Sequence, residues 1–304
     1  VARILVTGAS GLLGGNLAMD AAATHDVTGV FNANMVVFAG VRTLKADLSF
    51  PQDMRGILQR TQPEWVIHCA AATNIDLAER DPDWAYRLNL EMPREMARTA
   101  GEMGARFLHI STDAIFDGDG SPFTEVSPAR PTSVYGKSKL AGEQAVREVN
   151  PTATIVRTNL FGWSPVRADS LAEWFLGRLV RGESCPGFRD VSFSPILVND
   201  LAEVLLKMLS AGLSGVYHVG GATCLSKYEF GRRLADLFGL RPALVRPASV
   251  DDAGMAAPRQ KYLCLDSHKI ERELGVRLPT IDEGLARFKA LAWRSSFASL
   301  VRAH

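Results

Sequence analysis

The segment Thr7-Gly8-Ala9-Ser10-Gly11-Leu12-Leu13-Gly14 constrains the fold more than any other part of the chain. It follows an aliphatic run, Ile4-Leu5-Val6, and opens a helical stretch over 12–23. Three glycines in that setting have separate uses. Gly8 permits a tight turn, Gly11 lets the backbone approach a ligand, and Gly14 lets the helix pack closely on the strand. The first amides of the helix then face an anion. The segment therefore predicts a cradle for the pyrophosphate of a dinucleotide, built from Gly8, Ser10, Gly11, Leu12, Leu13 and Gly14. A bare glycine turn is the alternative, and the agreement of strand, helix and all three glycines argues against it.

Short apolar runs over 3–7, 27–31, 65–69, 107–110 and 154–157 alternate with helical stretches over 12–23, 53–61, 82–103 and 134–149. That rhythm predicts an α/β fold with a doubly wound parallel sheet of the Rossmann kind, each helix crossing one face of it. Pro93 falls inside the third helical stretch and predicts a kink or a restarted helix. The dinucleotide-binding domain is expected over residues 1–162, with 196–222 rejoining it and a smaller substrate lobe over 163–195 and 223–304. In the later segments Asn199 and Ser226 read as helix N-caps, and Leu244-Val245 as a short strand.

With 304 residues, 47% hydrophobic side chains and a formal charge of +1, the chain can bury a large core unaided. No basic block invites nucleic acid, and no apolar run reaches membrane-spanning length. The residues before Ile4 hold no charged leader or apolar stretch, so no secretion signal is expected. Cys69, Cys185, Cys224 and Cys264 are far apart and lack CxxC spacing. They predict free, buried thiols in a reducing, cytoplasmic compartment, and no metal site. His68 and His109 sit inside apolar strands and read as packed core residues. Trp84, Trp174 and Trp293 read as core or interface, which leaves Trp163 as the tryptophan placed to stack on a sugar.

The second strand ends at Phe31-Asn32-Ala33-Asn34, where an NAD-binding chain ordinarily carries a carboxylate for the ribose hydroxyls. An uncharged Asn32 removes repulsion against a 2′-phosphate, and Arg42 pairs with that phosphate if its loop folds over the ribose. NADP is favoured over NAD, both remaining open, and a solvated Arg42 is the alternative. Cys69-Ala70-Ala71-Ala72 after the fourth strand leaves room for the cofactor to cross the strand ends, or simply packs a helix tightly.

Tyr135 and Lys139 stand four residues apart on a predicted helix, so both project from one face. An ammonium beside a phenol stabilises phenolate and lowers a pKa ordinarily near 10, making Tyr135 a better proton donor. Lys139 also reaches a nicotinamide ribose. Ile110-Ser111-Thr112-Asp113 ends the preceding strand and places the Thr112 hydroxyl to donate to a substrate carbonyl beside Tyr135. A turn or cap hydroxyl is the alternative for Thr112. Asn89 is expected in a proton relay or a main-chain hydrogen bond next to the cofactor.

The GxxGxxG spacing and the Tyr135–Lys139 pair resemble the short-chain dehydrogenases, and further segments narrow the likeness. These are 63–73 with Asp76 and Glu79, Ser111-Thr112-Asp113 with Phe116-Asp117-Gly118, and Tyr135-Gly136-Lys137-Ser138-Lys139-Leu140-Ala141-Gly142-Glu143. With Arg157-Thr158, Pro195, Asp200-Leu201-Ala202, Arg259 and Leu265-Asp266, they resemble the dTDP-4-dehydrorhamnose reductase family over nearly the whole length. The resemblance implies reduction of a nucleotide-linked 4-keto-6-deoxy sugar by hydride from NADP or NAD, with Tyr135 protonating the oxygen. It also implies Asp47 near the adenine amino group and Leu48 against its ring. The partner implied is a small nucleotide sugar, not nucleic acid or membrane, and a homodimer is open. Ala114, Leu160, Val191, Phe193, Ile196 and Gln260 depart from the family pattern and cluster on the substrate side. A sugar dehydratase would need an acid where Ala114 stands. An epimerase with the same triad, and a non-catalytic subunit like that of methionine adenosyltransferase, are the rival readings.

Overall fold

The computed structural model describes residues 1–120, 122–166 and 170–294. Seven strands form one parallel sheet: β1 (Arg3–Thr7), β2 (Asp26–Phe31), β3 (Val41–Lys45), β4 (Trp65–His68), β5 (Arg106–Thr112), β6 (Thr154–Thr158) and β7 (Gly215–His218). Their order across the sheet is β7-β6-β5-β4-β1-β2-β3, so the chain winds outward from β1 in both directions. The direction reverses between β1 and β4, and the crevice beyond their carboxyl ends is where such sheets bind ligands.

Alternate residues of each strand enter opposite layers, which is why the central strands are largely apolar, while the edge strand β3 is not buried. Ile4, Val6, Ile67, Leu108 and Val156 pack on α1 (Leu12–Ala21) and on Val198–Ser210. Leu5, Val66, Phe107 and Ile155 pack on α2 (Pro51–Thr61), α3 (Met92–Glu102) and α4 (Val134–Val149). Each such side chain, fully buried, contributes about 1.5–3 kcal/mol.

The helical stretch over 82–103 is divided, and the restart expected at Pro93 comes at Met92, one residue earlier. Pro82–Tyr86 is α-helical, Arg87–Glu91 is a π-helical turn, and α3 then restarts at Met92. Pro93 has no N–H to return to the carbonyl of Asn89. That carbonyl packs instead against Gly142 of α4, where any Cβ would collide with it.

The remaining chain builds a lobe around Phe161, Phe175, Phe193, Phe230, Leu234 and Phe288. Its small sheets join Leu225–Ser226, Ser192–Phe193 and Tyr262–Leu263, and separately Val245–Ala248 with Cys185–Phe188. Ser226 caps the helix Lys227–Leu237 in a capping box with Glu229.

Three expectations are corrected. Cys224 and Cys264 are joined in a disulfide, leaving Cys69 and Cys185 as the free thiols. Spacing concealed this because the pairing is made by the fold: the two cysteines flank the outer strands of the three-stranded sheet. Asn199 is no N-cap. Its helix begins one residue earlier, and its amide donates to Asp20 Oδ2 at 2.7 Å, tying Val198–Ser210 to α1. Trp293 is 62% exposed, which removes the core half of its core-or-interface reading.

Candidate active site

One cavity of about 680 Å³ runs along the carboxyl ends of the sheet strands and into the lobe. Its floor begins at the glycine turn. Gly8 has φ +67, and a Cβ there would lie 2.8 Å from the Ala70 amide nitrogen. The Gly11 amide donates to the Gly8 carbonyl at 2.8 Å, closing the turn. A Cβ on Gly14 would be driven into that same carbonyl. Gly11 stands at the N-cap of α1 with no side-chain cap, so the first-turn amides are left for an external acceptor. The turn thus fits a pyrophosphate.

Gly8, Ser10, Gly11, Leu12, Leu13, Gly14, Asn32, Asp47, Leu48, Cys69, Ala70, Ala71, Thr112, Tyr135 and Lys139 all line this cavity. The Asp47 carboxylate is held below its ordinary pKa, chiefly by the Ser49 hydroxyl at 2.7 Å.

Three residues expected at the cofactor do not reach the cavity. Arg42 is not in a loop: it is exposed near the start of β3, paired in register with Thr28, and so far from the strand's carboxyl end. Ala72 and Asn89 are buried behind the wall. Asn89 binds both the amide (2.9 Å) and the carbonyl (3.1 Å) of Ala72, and its side-chain N–H also meets Ser138 Oγ at 3.0 Å. It joins the β4 loop to α4, a main-chain role that leaves it out of contact with the groove.

The helix bearing Tyr135 and Lys139 is fixed at its start. Ser133 Oγ accepts from the Gly136 amide at 3.1 Å, and Glu79 accepts from the Val134 amide at 2.7 Å. Lys139 is 2% exposed, and its Nζ donates to the Ile110 carbonyl at 2.7 Å, with His109 Nε2 at 3.3 Å. Burial lowers its pKa to about 8, against the opposing pull of the Glu143 carboxylate. Glu143 is itself paired with Arg157 at 2.7 Å and accepts from Ser111 Oγ.

Lys139 was expected to draw the phenol pKa down. In the structure Tyr135 is pushed up to about 12, first by burial, with the Thr112 hydroxyl lowering it and the Asp113 carboxylate raising it. Lys139 is turned to the β5 carbonyl instead, so desolvation wins and the phenol stays a proton-bearing donor. His109, read as inert core, is indeed buried but touches Lys139.

On the lobe side the wall adds residues that the sequence did not single out as a site. Asn159 donates to Asp113 Oδ2 at 2.6 Å and Thr112 Oγ1 to Asp113 Oδ1 at 3.2 Å. Burial raises the Asp113 pKa to about 6. Lys227 faces this carboxylate from the first position of its helix, its pKa lowered by burial. Arg259 lines the cavity, held by Asp76 at 3.1 Å. Lys227 did carry a signal: a cation at a helix N-terminus opposes the macrodipole, and such locally unfavourable choices mark function. Trp163 does not line the cavity. It stacks on Phe288 at 4.0 Å and donates its indole N–H to the Phe288 carbonyl at 2.7 Å.

Fold and cavity define the class: a doubly wound, dinucleotide-binding oxidoreductase of the extended short-chain dehydrogenase type. The chain belongs to the RmlD substrate binding domain family, whose profile matches residues 2–292. It is 32% identical over 291 residues to the probable low-salt glycan biosynthesis reductase Agl14 of Haloferax volcanii, covering 94% of this chain and 96% of that protein. It is 32% identical over 278 residues to methionine adenosyltransferase 2 subunit beta of Danio rerio, covering 88% of this chain and 84% of that one. Among solved structures, the dTDP-4-dehydrorhamnose reductase of Bacillus anthracis in complex with NADP matches with a TM-score of 0.82 at 30% identity. That match covers 95% of this chain and 99% of that one.

Proposed function

We propose that the chain reduces the keto group of a nucleotide-linked 4-keto-6-deoxy sugar with NADPH or NADH. One observation carries this reading: Thr112, Tyr135 and Lys139 line the same cavity as the glycine turn. A nicotinamide dinucleotide, when bound, supplies the hydride. Tyr135 holds the proton for the carbonyl oxygen, and the Thr112 hydroxyl, turning from Asp113 Oδ1 to that oxygen, donates a second hydrogen bond as its negative charge grows. Lys139, its pKa lowered to about 8, binds the nicotinamide ribose and brings positive charge to the phenol once the ribose draws it off the Ile110 carbonyl. Gly8, Gly11 and Gly14 with the first-turn amides hold the pyrophosphate, and Asp47 with Leu48 receives the adenine. Asn32 puts no carboxylate against a 2′-phosphate, which supports NADPH.

Oxidation of NADPH and NADH is measured against dTDP-, GDP- and UDP-linked 4-keto-6-deoxy sugars, with product configuration read by NMR. Turnover of one sugar class supports the reading. The similarity to the Danio rerio subunit favours a second one, in which the cavity serves regulation of a synthetase. Absence of turnover across the panel, together with stable binding to an adenosyltransferase, would establish that reading instead.

A further inference from the structure

Gln260 lines the cavity and is 7% exposed. Its amide nitrogen donates to Thr132 Oγ1 at 3.0 Å and to the Ala114 carbonyl at 3.4 Å. A carbonyl can only accept, so the nitrogen must face Ala114 and the carboxamide oxygen must face the other way. Among the described residues that oxygen has no hydrogen-bond partner. Among the described residues, the fully buried side-chain polar atoms without partners are His68 Nε2 and His109 Nδ1, so the Gln260 oxygen keeps accessible surface. The cavity is the space it lines.

Its neighbours there are mostly donors. Tyr135, Lys227 and Arg259 present hydrogens, and the Asp113 oxygens are taken up by Asn159 and by the Thr112 hydroxyl. Ala114 adds only a methyl group. Leu263 and Phe193, paired in register, make the wall beside it apolar. Gln260 therefore presents a neutral, uncommitted acceptor on this side of the site, with the Asn159 carboxamide oxygen beside Asp113 as the other. Thr112 and Ala114 are two residues apart, at most about 7 Å. The Ala114 carbonyl also packs against Gly136, next to Tyr135. The carboxamide and the carbonyl-binding hydroxyls thus address one sugar ring.

We propose that Gln260 is a specificity-determining residue, whose carboxamide oxygen accepts a hydrogen bond from the sugar hydroxyl on the carbon next to the reacting carbonyl. The proposal rests on the reduction reading above and names which sugars that site selects. Sugars deoxygenated at that carbon leave the oxygen unpaired and are disfavoured.

The test compares a dTDP-linked 4-keto-6-deoxyhexose with its 3-deoxy counterpart in the wild-type chain and in Gln260→Met, which keeps length and removes hydrogen bonding. Wild type is expected to prefer the 3-hydroxy sugar about tenfold in kcat/KM, mainly through KM. In Gln260→Met the preference falls to near unity, with the dissociation constant for NADPH unchanged. An equal preference in both proteins overturns the proposal while leaving reduction intact. If Gln260→Met does not fold, Gln260→Asn, which withdraws the amide by one methylene, takes its place with the same expectation. If neither sugar is turned over by wild type, reduction fails, and calorimetric binding of the two corresponding dTDP-linked alcohols decides on Gln260. A tenfold difference lost in the variant sustains it, and equal binding or no binding overturns it.

Discussion

Gly14→Ala and Gly56→Ala form a matched pair, because both glycines lie inside helices and both substitutions gain helix propensity. That gain is about 1 kcal/mol in each. What the new methyl group meets separates them. At Gly56 of α2 there is nothing within 4 Å of the added Cβ. At Gly14 the Cβ would overlap the Gly8 carbonyl oxygen and lie 2.7 Å from its carbon and 3.0 Å from the Thr7 oxygen. Those atoms are backbone of the cradle itself and cannot rotate away, so the cost falls at the upper end of the overpacking range, about 3 kcal/mol. Net, Gly56→Ala stabilises by about 1 kcal/mol and Gly14→Ala destabilises by about 2 kcal/mol. At about 1.6 °C per kcal/mol for a chain of 304 residues, their thermal midpoints part by roughly 5 °C. Displacing the Gly8 turn should also raise the NADPH dissociation constant at least about tenfold, a change of 1.4 kcal/mol or more. Gly56→Ala should leave it alone. Differential scanning fluorimetry and a fluorescence titration read the two effects. If Gly14→Ala matches Gly56→Ala in midpoint and affinity, the close approach of α1 to the turn is not what the glycine serves.

Acid should weaken the fold through its buried histidines. His68 titrates at about 3, through burial and then the Lys139 charge, and His218 at about 3, through burial and then Arg157. Both would titrate near 6.5 when unfolded, so the unfolded chain binds more protons between about 3 and 6.5, and stability falls as pH falls through that window. The slope is about 1.4 kcal/mol per pH unit for each histidine. Asp113, raised to about 6, opposes this between about 4 and 6. Urea midpoints from pH 7 to pH 4 check the net direction; a flat profile would contradict it. Cys224→Ser opens a loop with a sequence separation of 40, which corresponds to about 4 kcal/mol in the chain-entropy account. Denaturation with and without reductant should show that loss in wild type and none in the variant, whereas identical curves for wild type in both conditions would exclude the bond.

The parallel sheet was legible because its central strands β1, β2, β4, β5 and β6 are buried on both faces and so read as largely apolar runs, and the glycine turn because strand, turn and helix are contiguous. Tyr135 and Lys139 were legible for the same reason: one helix carries both. What stayed hidden depends on contacts between distant segments. The disulfide joins residues that the lobe sheet brings together. Asn159 and Lys227 meet Asp113 only after β6 and the lobe fold back over β5. Arg42 is exposed within β3 and matches the solvated alternative; its loop reading was wrong because the segment pairs with β2. The phenol was expected to feel Lys139 first, yet burial, which no spacing reveals, dominates its pKa.

The central claim is that Tyr135 supplies the proton in a reduction carried out over the glycine turn. Its most direct test is Tyr135→Phe, which removes one hydroxyl and leaves the ring. With NADPH and the best 4-keto-6-deoxy sugar of the panel, kcat should fall by about 10²–10⁴-fold while the NADPH dissociation constant stays within about twofold. A variant that turns over at the wild-type rate would contradict the account.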